Sequence, residues 1–171
     1  MYRAALLDRK VYDELRNDPV GFAQGLTVVI LATVALLIGA FVEQAGSGDN
    51  VVEALSALIA MPGVWLIQAV SAYVLGSMAI PAENRQALAR PLMAAIGLSA
   101  APGLLFLFVG APEAGTFVGF VVTLWMVITM VVAVQWTLGI PGFRATMAVL
   151  PGFVLRFIVI GVLFGGSSGG G

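Results

Sequence analysis

The chain contains no cysteine and no histidine, and only 10% of its 171 residues are charged. Without cysteine there is no disulfide, no thiolate metal site and no cysteine nucleophile. Without histidine the commonest general base and the commonest zinc ligand are both missing. A Ser-His-Asp or Cys-His arrangement therefore cannot be built. The sole lysine, Lys10, lies in a charged N-terminal segment. Paired intramembrane aspartates, an HExxH helix, a P-loop and a dinucleotide fingerprint are absent as well. No catalytic, cofactor-binding or metal-ligating residue is assigned, no cofactor is expected, and neither enzymatic activity nor a nucleic-acid partner is expected. Proton-coupled transport normally relies on an intramembrane carboxylate or histidine, and none is found within the apolar runs.

What the chain has in abundance is apolar sequence. Apolar residues make up 60% of it, against about 45–50% in soluble proteins, and its mean hydropathy is +1.04. Five apolar runs stand out, at about 19–42, 53–80, 91–110, 115–138 and 144–165. A bilayer core of ~30 Å needs ~20 helical residues at ~1.5 Å each, and every run supplies them. The eight Lys and Arg residues fall almost wholly in alternate gaps. Arg3, Arg9, Lys10 and Arg16 precede the first run, Arg85 and Arg90 occupy the second gap, and Arg144 the fourth. Basic residues near span ends stay cytoplasmic. The expected fold is thus an all-α membrane protein, a five-helix transmembrane bundle with its N-terminus inside and its C-terminus outside. Residues 1–171 are read as a single domain. Net charge, at −1, carries no message, because the acids lie at span ends on both sides. The first run is too long for the ~7–15-residue core of a signal peptide and lacks a cleavage pattern, so it is expected to be a retained anchor.

Ahead of the first run, residues 2–16 predict a short amphipathic helix in the cytoplasmic segment 1–18. Leu7, Val11 and Leu15 recur every fourth residue, with Arg3, Arg9, Asp13 and Arg16 on the other side. Such a helix either lies among lipid headgroups, with Arg3, Arg9, Lys10 and Arg16 as candidate headgroup contacts, or packs against the cytoplasmic ends of the bundle. Asp18-Pro19 then suits a helix start. The second run would cover ~42 Å as one helix, so either it tilts or its span begins near Pro62; the second is the expectation. A weak repeat places Pro-Gly inside three runs, at Pro62-Gly63, Pro102-Gly103 and Pro151-Gly152. Each is a candidate kink, and each proline frees a carbonyl upstream, on Leu58, Leu98 and Met147, for which lipid offers no partner. GxxxG spacings at Gly21/Gly25, Gly115/Gly119 and Gly161/Gly165 are weak pointers to close helix contact. The glycine-serine tail over 166–171 is flexible by composition.

Arg156 is the one charge well inside a run, twelve residues beyond Arg144, or ~18 Å by helical rise. A central arginine costs ~2.5–3.5 kcal/mol on the insertion scale, so it is expected to face the bundle interior among acceptors. Gln68, Ser99, Thr123 and Thr129 are the polar candidates at similar depth, and an Arg156–Gln68 hydrogen bond is expected. A structural tie between helices, a snorkelling arginine and a site for an anion or lipid headgroup are the competing readings. Trp65, Trp125, Trp136 and Tyr73 are expected to serve packing and the interfacial aromatic belt.

Several short motifs resemble bacterial members of the Yip (Rab/Ypt-interacting protein) family. They are Leu7-Asp8, Val11-Tyr12-Asp13-Glu14-Leu15 and Asp18-Pro19 before the first run, Ala72-Tyr73-Val74-Leu75-Gly76 closing the second, and Ala101-Pro102-Gly103-Leu104-Leu105 in the third. Trp125, Val131-Val132-Ala133-Val134 and Arg144-Ala145 continue the likeness. It implies a five-span membrane protein with a cytosolic N-terminus. The Asp-Leu-Tyr-Gly-Pro motif of eukaryotic relatives is absent, so GTPase binding does not carry over. Gln135 stands where bacterial relatives tend to have arginine. The resemblance, with one lysine against seven arginines, implies a multi-pass protein of a bacterial cytoplasmic (inner) membrane. The role expected is a non-enzymatic membrane-organising or adaptor protein whose partners are membrane lipids, other membrane proteins or itself. The alternative is a small permease or channel component for an anionic or lipid-like substrate.

Overall fold

The computed structural model of the protein describes residue 10 and residues 18–43, 51–78, 80–111 and 113–164. Between residues 18 and 164 every regular element is helical: α1 (Gly21–Glu43), α2 (Val51–Ser77), α3 (Ala82–Leu98), a 3₁₀ segment (Ala101–Phe108), α4 (Gly115–Leu138) and α5 (Gly142–Phe164). Among the described residues three stretches are long and apolar enough to cross a membrane, Gly21–Val42, Ala87–Phe108 and Gly115–Leu138. The segment expected to be amphipathic, with Arg3, Arg9 and Arg16, and the tail 166–171 lie outside the described residues. Lys10 is helical and exposed.

Local chemistry explains the ends. Asp18 initiates α1, its carboxylate accepting from the Val20 amide at 2.9 Å and from Gln24 Nε2 at 3.2 Å. Pro19 and Val20 form a turn, and regular helix starts at Gly21. α4 stops at Gly139, whose φ of +66° is left-handed, a conformation that costs other residues their Cβ clearance. The Ile140 amide then donates back to the Gln135 carbonyl at 3.2 Å, which turns the chain directly into α5.

The helices depart from the apolar runs in three places. The second gap between runs, which holds Arg85 and Arg90, is itself helical: α3 begins at Ala82 after Pro81. Ala82, Glu83, Gln86, Ala87, Leu88, Ala89 and Arg90 are strong helix formers, and low hydropathy hid them. α2 runs unbroken through Pro62, and α5 through Pro151, so the second helix does not restart at Pro62. Only Pro102-Gly103 coincides with a change of helix type. At Ser99–Ala100 the α-helix ends and the chain tightens into 3₁₀ over Ala101–Phe108.

The third rod, α3 plus the 3₁₀ segment, is the centre of the assembly. It packs on α1 along both its parts, on α4, and on α2; α5 packs mainly on α2 and also on α4. Within the Ala87–Phe108 span 67% of the window is buried, against 39% in α1 and 28% in α4, which makes α4 the most outward-facing of the three. The contact of α3 with α1 depends on missing side chains. A Cβ at Gly25 would stand 2.7 Å from the Ala94 carbonyl oxygen, and one at Gly97 2.6 Å from Gly25 Cα. Backbones meet directly there, the packing that lipid favours in the absence of a hydrophobic drive. Of the three Pro-Gly glycines, Gly152 faces the Gln68 backbone of α2 and Gly103 faces Ala32 and Met126, whereas a Cβ at Gly63 would touch nothing within 4 Å.

Gly97→Val is therefore expected to destabilise the protein by about 1–3 kcal/mol or more, as overpacking does. Gly63→Ala should leave stability unchanged or raise it by up to ~1 kcal/mol through helix propensity. Thermal unfolding of both variants in one detergent checks the contrast.

Candidate functional site

Gln68 and Arg156 approach one another because α2 and α5 pack through Gly152. A Cβ at Gly152 would lie 3.1 Å from Gln68 Cγ and 3.3 Å from the Gln68 carbonyl oxygen. Arg156 is one turn further along α5, on the same face. Both residues line a cavity of about 60 Å³ to which all five α-helices and the 3₁₀ segment contribute. Thr33 comes from α1, Trp65 and Gln68 from α2, Ser99 from the end of α3, Phe106 from the 3₁₀ segment, Met126 and Met130 from α4, and Phe153 and Arg156 from α5.

The expected Arg156–Gln68 hydrogen bond does not form. Gln68 is buried, and its Nε2 donates to the thioether of Met130 at 3.3 Å. With its stem held against Gly152, the amide reaches across to α4 rather than along α5. Arg156 is half-buried, and among the described residues no hydrogen bond or ion pair holds its guanidinium. Of the polar cluster expected from sequence, Arg156, Gln68 and Ser99 share the cavity. Thr123 stands apart, its hydroxyl donating to the Gly119 carbonyl of its own helix at 2.8 Å.

Thr129 has a different task. Its hydroxyl is 2.8 Å from the Ser99 carbonyl, and 3.0 Å from those of Trp125 and Met126. In the 3₁₀ pattern the Ser99 carbonyl would accept from residue 102, which is proline and has no N–H. The Gly103 amide is committed to Ala100 at 2.8 Å. Thr129 supplies the missing donor from the neighbouring helix. The carbonyl so satisfied is Ser99's rather than Leu98's, because the hydrogen-bond step has shortened from four residues to three.

Trp65 and Thr33 were not among the polar candidates, yet both line the cavity. Trp65 is buried and its Nε1–H has no hydrogen-bond partner. The available signal was its spacing, three residues before Gln68 and hence on the same helix face. A second, wider hollow of about 410 Å³ lies where α2 ends and α4 turns into α5, with Leu75, Met78, Ile140, Met147 and Arg144 on its walls. Among the described residues no three His, Cys, Asp or Glu side chains gather as a metal site.

Comparison with protein-family models, with curated proteins and with solved structures finds no match for this chain.

Thr129→Val should leave the buried Ser99 carbonyl unpaired and cost about 1–3 kcal/mol. Thr123→Val removes a hydroxyl bonded only within its own helix and should change stability by well under that. Denaturation midpoints of the two variants beside the parent test the assignment.

Proposed function

We propose that the protein is a five-span, non-enzymatic integral membrane protein that acts through lipid and helix contacts, as a membrane-organising or adaptor protein similar to the Yip family. The N-terminus is inside and the C-terminus outside a bacterial cytoplasmic membrane. The observation that carries this reading is the contrast between interior and exterior. The interior cavity, at about 60 Å³, is far below the ~300–1,000 Å³ that holds an organic ligand. The exterior carries large exposed apolar side chains on α1, α2, the 3₁₀ segment, α4 and α5, among them Phe41, Ile67, Phe108, Phe120 and Val154.

The wide hollow beside Arg144 supports the lipid side of the proposal. It joins apolar walls to one exposed cation, and Arg144 lies in the first turn of α5, where no acid offsets the positive helix end. An anionic headgroup complements that combination. Arg144 also belongs to the basic set that places this end in the cytoplasm.

The absence of native cysteine makes the topology directly testable. Ser47→Cys should react with a membrane-impermeant maleimide on intact cells, and Asn84→Cys only after lysis. Labelling in the opposite order would overturn the orientation, and labelling of both from outside would overturn the five-span count. For the role, native mass spectrometry from nanodiscs of mixed zwitterionic and anionic lipid should find anionic lipid retained, and less of it in Arg144→Gln. Retention without headgroup preference would remove the lipid-contact reading at this end.

A further inference from the structure

Interior polar groups divide into those that are satisfied within the bundle and those that are not. The Thr33 hydroxyl donates to Val29 at 2.8 Å, and Ser99 to Ile96 at 2.7 Å, each a carbonyl of its own helix. Thr129 is used by Ser99. At the cavity three groups remain. Trp65 Nε1–H has no partner, Gln68 Nε2–H reaches only a thioether, and thioether sulfur is a weak acceptor. The third is the Arg156 guanidinium, without hydrogen bond or ion pair among the described residues. All three line the same cavity, and among the described residues no carboxylate lines it.

Each of the three is a donor, one carries a full positive charge, and they come from two adjacent helices, α2 and α5. Leaving such groups unpaired away from water costs several kcal/mol in sum. What complements them is a single anion. Size narrows the choice: about 60 Å³ takes one or two particles of water size, which a halide ion nearly is.

We propose that this cavity binds one small monovalent anion of halide size, with Arg156 as its counter-charge and Trp65 Nε1–H and the Gln68 amide as its hydrogen-bond donors. The anion takes the place of a carboxylate, which the described residues lining the cavity do not include. Its midplane setting rests on the five-span reading; its binding does not.

Trp65 is both a donor and a reporter. With Trp125→Phe and Trp136→Phe it becomes the sole tryptophan, and bromide quenches indole fluorescence on contact. The test is a sodium bromide titration against sodium gluconate at constant ionic strength, in nanodiscs of neutral phosphatidylcholine. Saturable quenching is expected. Arg156→Gln should leave only a linear, collisional response, and Arg156→Lys should retain saturation with affinity about tenfold weaker. Linear quenching in the parent, or saturation unchanged in Arg156→Gln, overturns the proposal. If Arg156→Gln does not fold, Trp65→Phe in the otherwise native chain decides: a rise in Tm with bromide that shrinks supports the site, and one that stays the same overturns it. Competition of bromide by added phosphatidylglycerol would assign the donors to a headgroup phosphate instead and also overturn it. The maleimide labelling is independent of all these readouts, so a failed topology and an empty cavity are told apart.

Discussion

The structure hangs on a single carbonyl. Pro102 takes away the amide that Ser99 would otherwise bond, and lipid offers no substitute. The Thr129 hydroxyl, at 2.8 Å, answers from α4. That contact fixes the depth of α4 against the third rod and stabilises the change from α-helix to 3₁₀. The change in turn sets Ser99, Ala100 and Phe106 around the cavity. Had the helix continued unbroken, its side chains would have followed the 3.6-residue period through this region. The space where the helices converge is thus a by-product of how one backbone group is satisfied.

Close backbone contact supplies the complementary rule. Where Gly25 meets Ala94 and Gly97, adjacent helices touch backbone to backbone, and where Gly152 meets Gln68 the glycine leaves room for the Gln68 stem and carbonyl. Tight seams on two sides hold the central rod and α5 in position. Between those seams sit the groups that the bundle does not satisfy. Interior hydroxyls such as those of Thr33 and Ser99 fold back on their own helices and so remain neutral bystanders, while Trp65, Gln68 and Arg156 have no such local recourse. Short hydroxyl side chains reach a carbonyl one turn back; indole, amide and guanidinium groups project past it.

How far this was legible in the sequence follows the same physics. α4 occupies the residues 115–138 of its apolar run, and α1 and α5 begin and end within two residues of theirs. Hydropathy traces those helices because apolar and helical stretches coincide. It fails over Ala82–Arg90, where helix formers are polar, and it misses the 3₁₀ segment, whose partner Thr129 stands thirty residues away. Arg156 was legible as a lone charge, and Gln68 as a polar residue at matching depth. Their mutual hydrogen bond was not foreseeable either way, since the Gln68 amide is directed by Gly152 and Met130 on two other helices. Trp65 reads as an ordinary packing residue until its neighbours are in place.

The 3₁₀ segment also has a consequence for reach. A 3₁₀ residue rises ~2.0 Å against ~1.5 Å in an α-helix. The eight residues Ala101–Phe108 therefore cover ~16 Å where an α-helix would cover ~12 Å. With fourteen α-helical and linking residues before it, the 22-residue span Ala87–Phe108 reaches ~37 Å, against ~36 Å for the 24 residues of α4. Stretching one element makes a shorter element match the hydrophobic thickness of its longer neighbour. Membranes differ from one another in thickness by only a few Å, so a shift of that size decides which bilayer the bundle fits without tilting or thinning it.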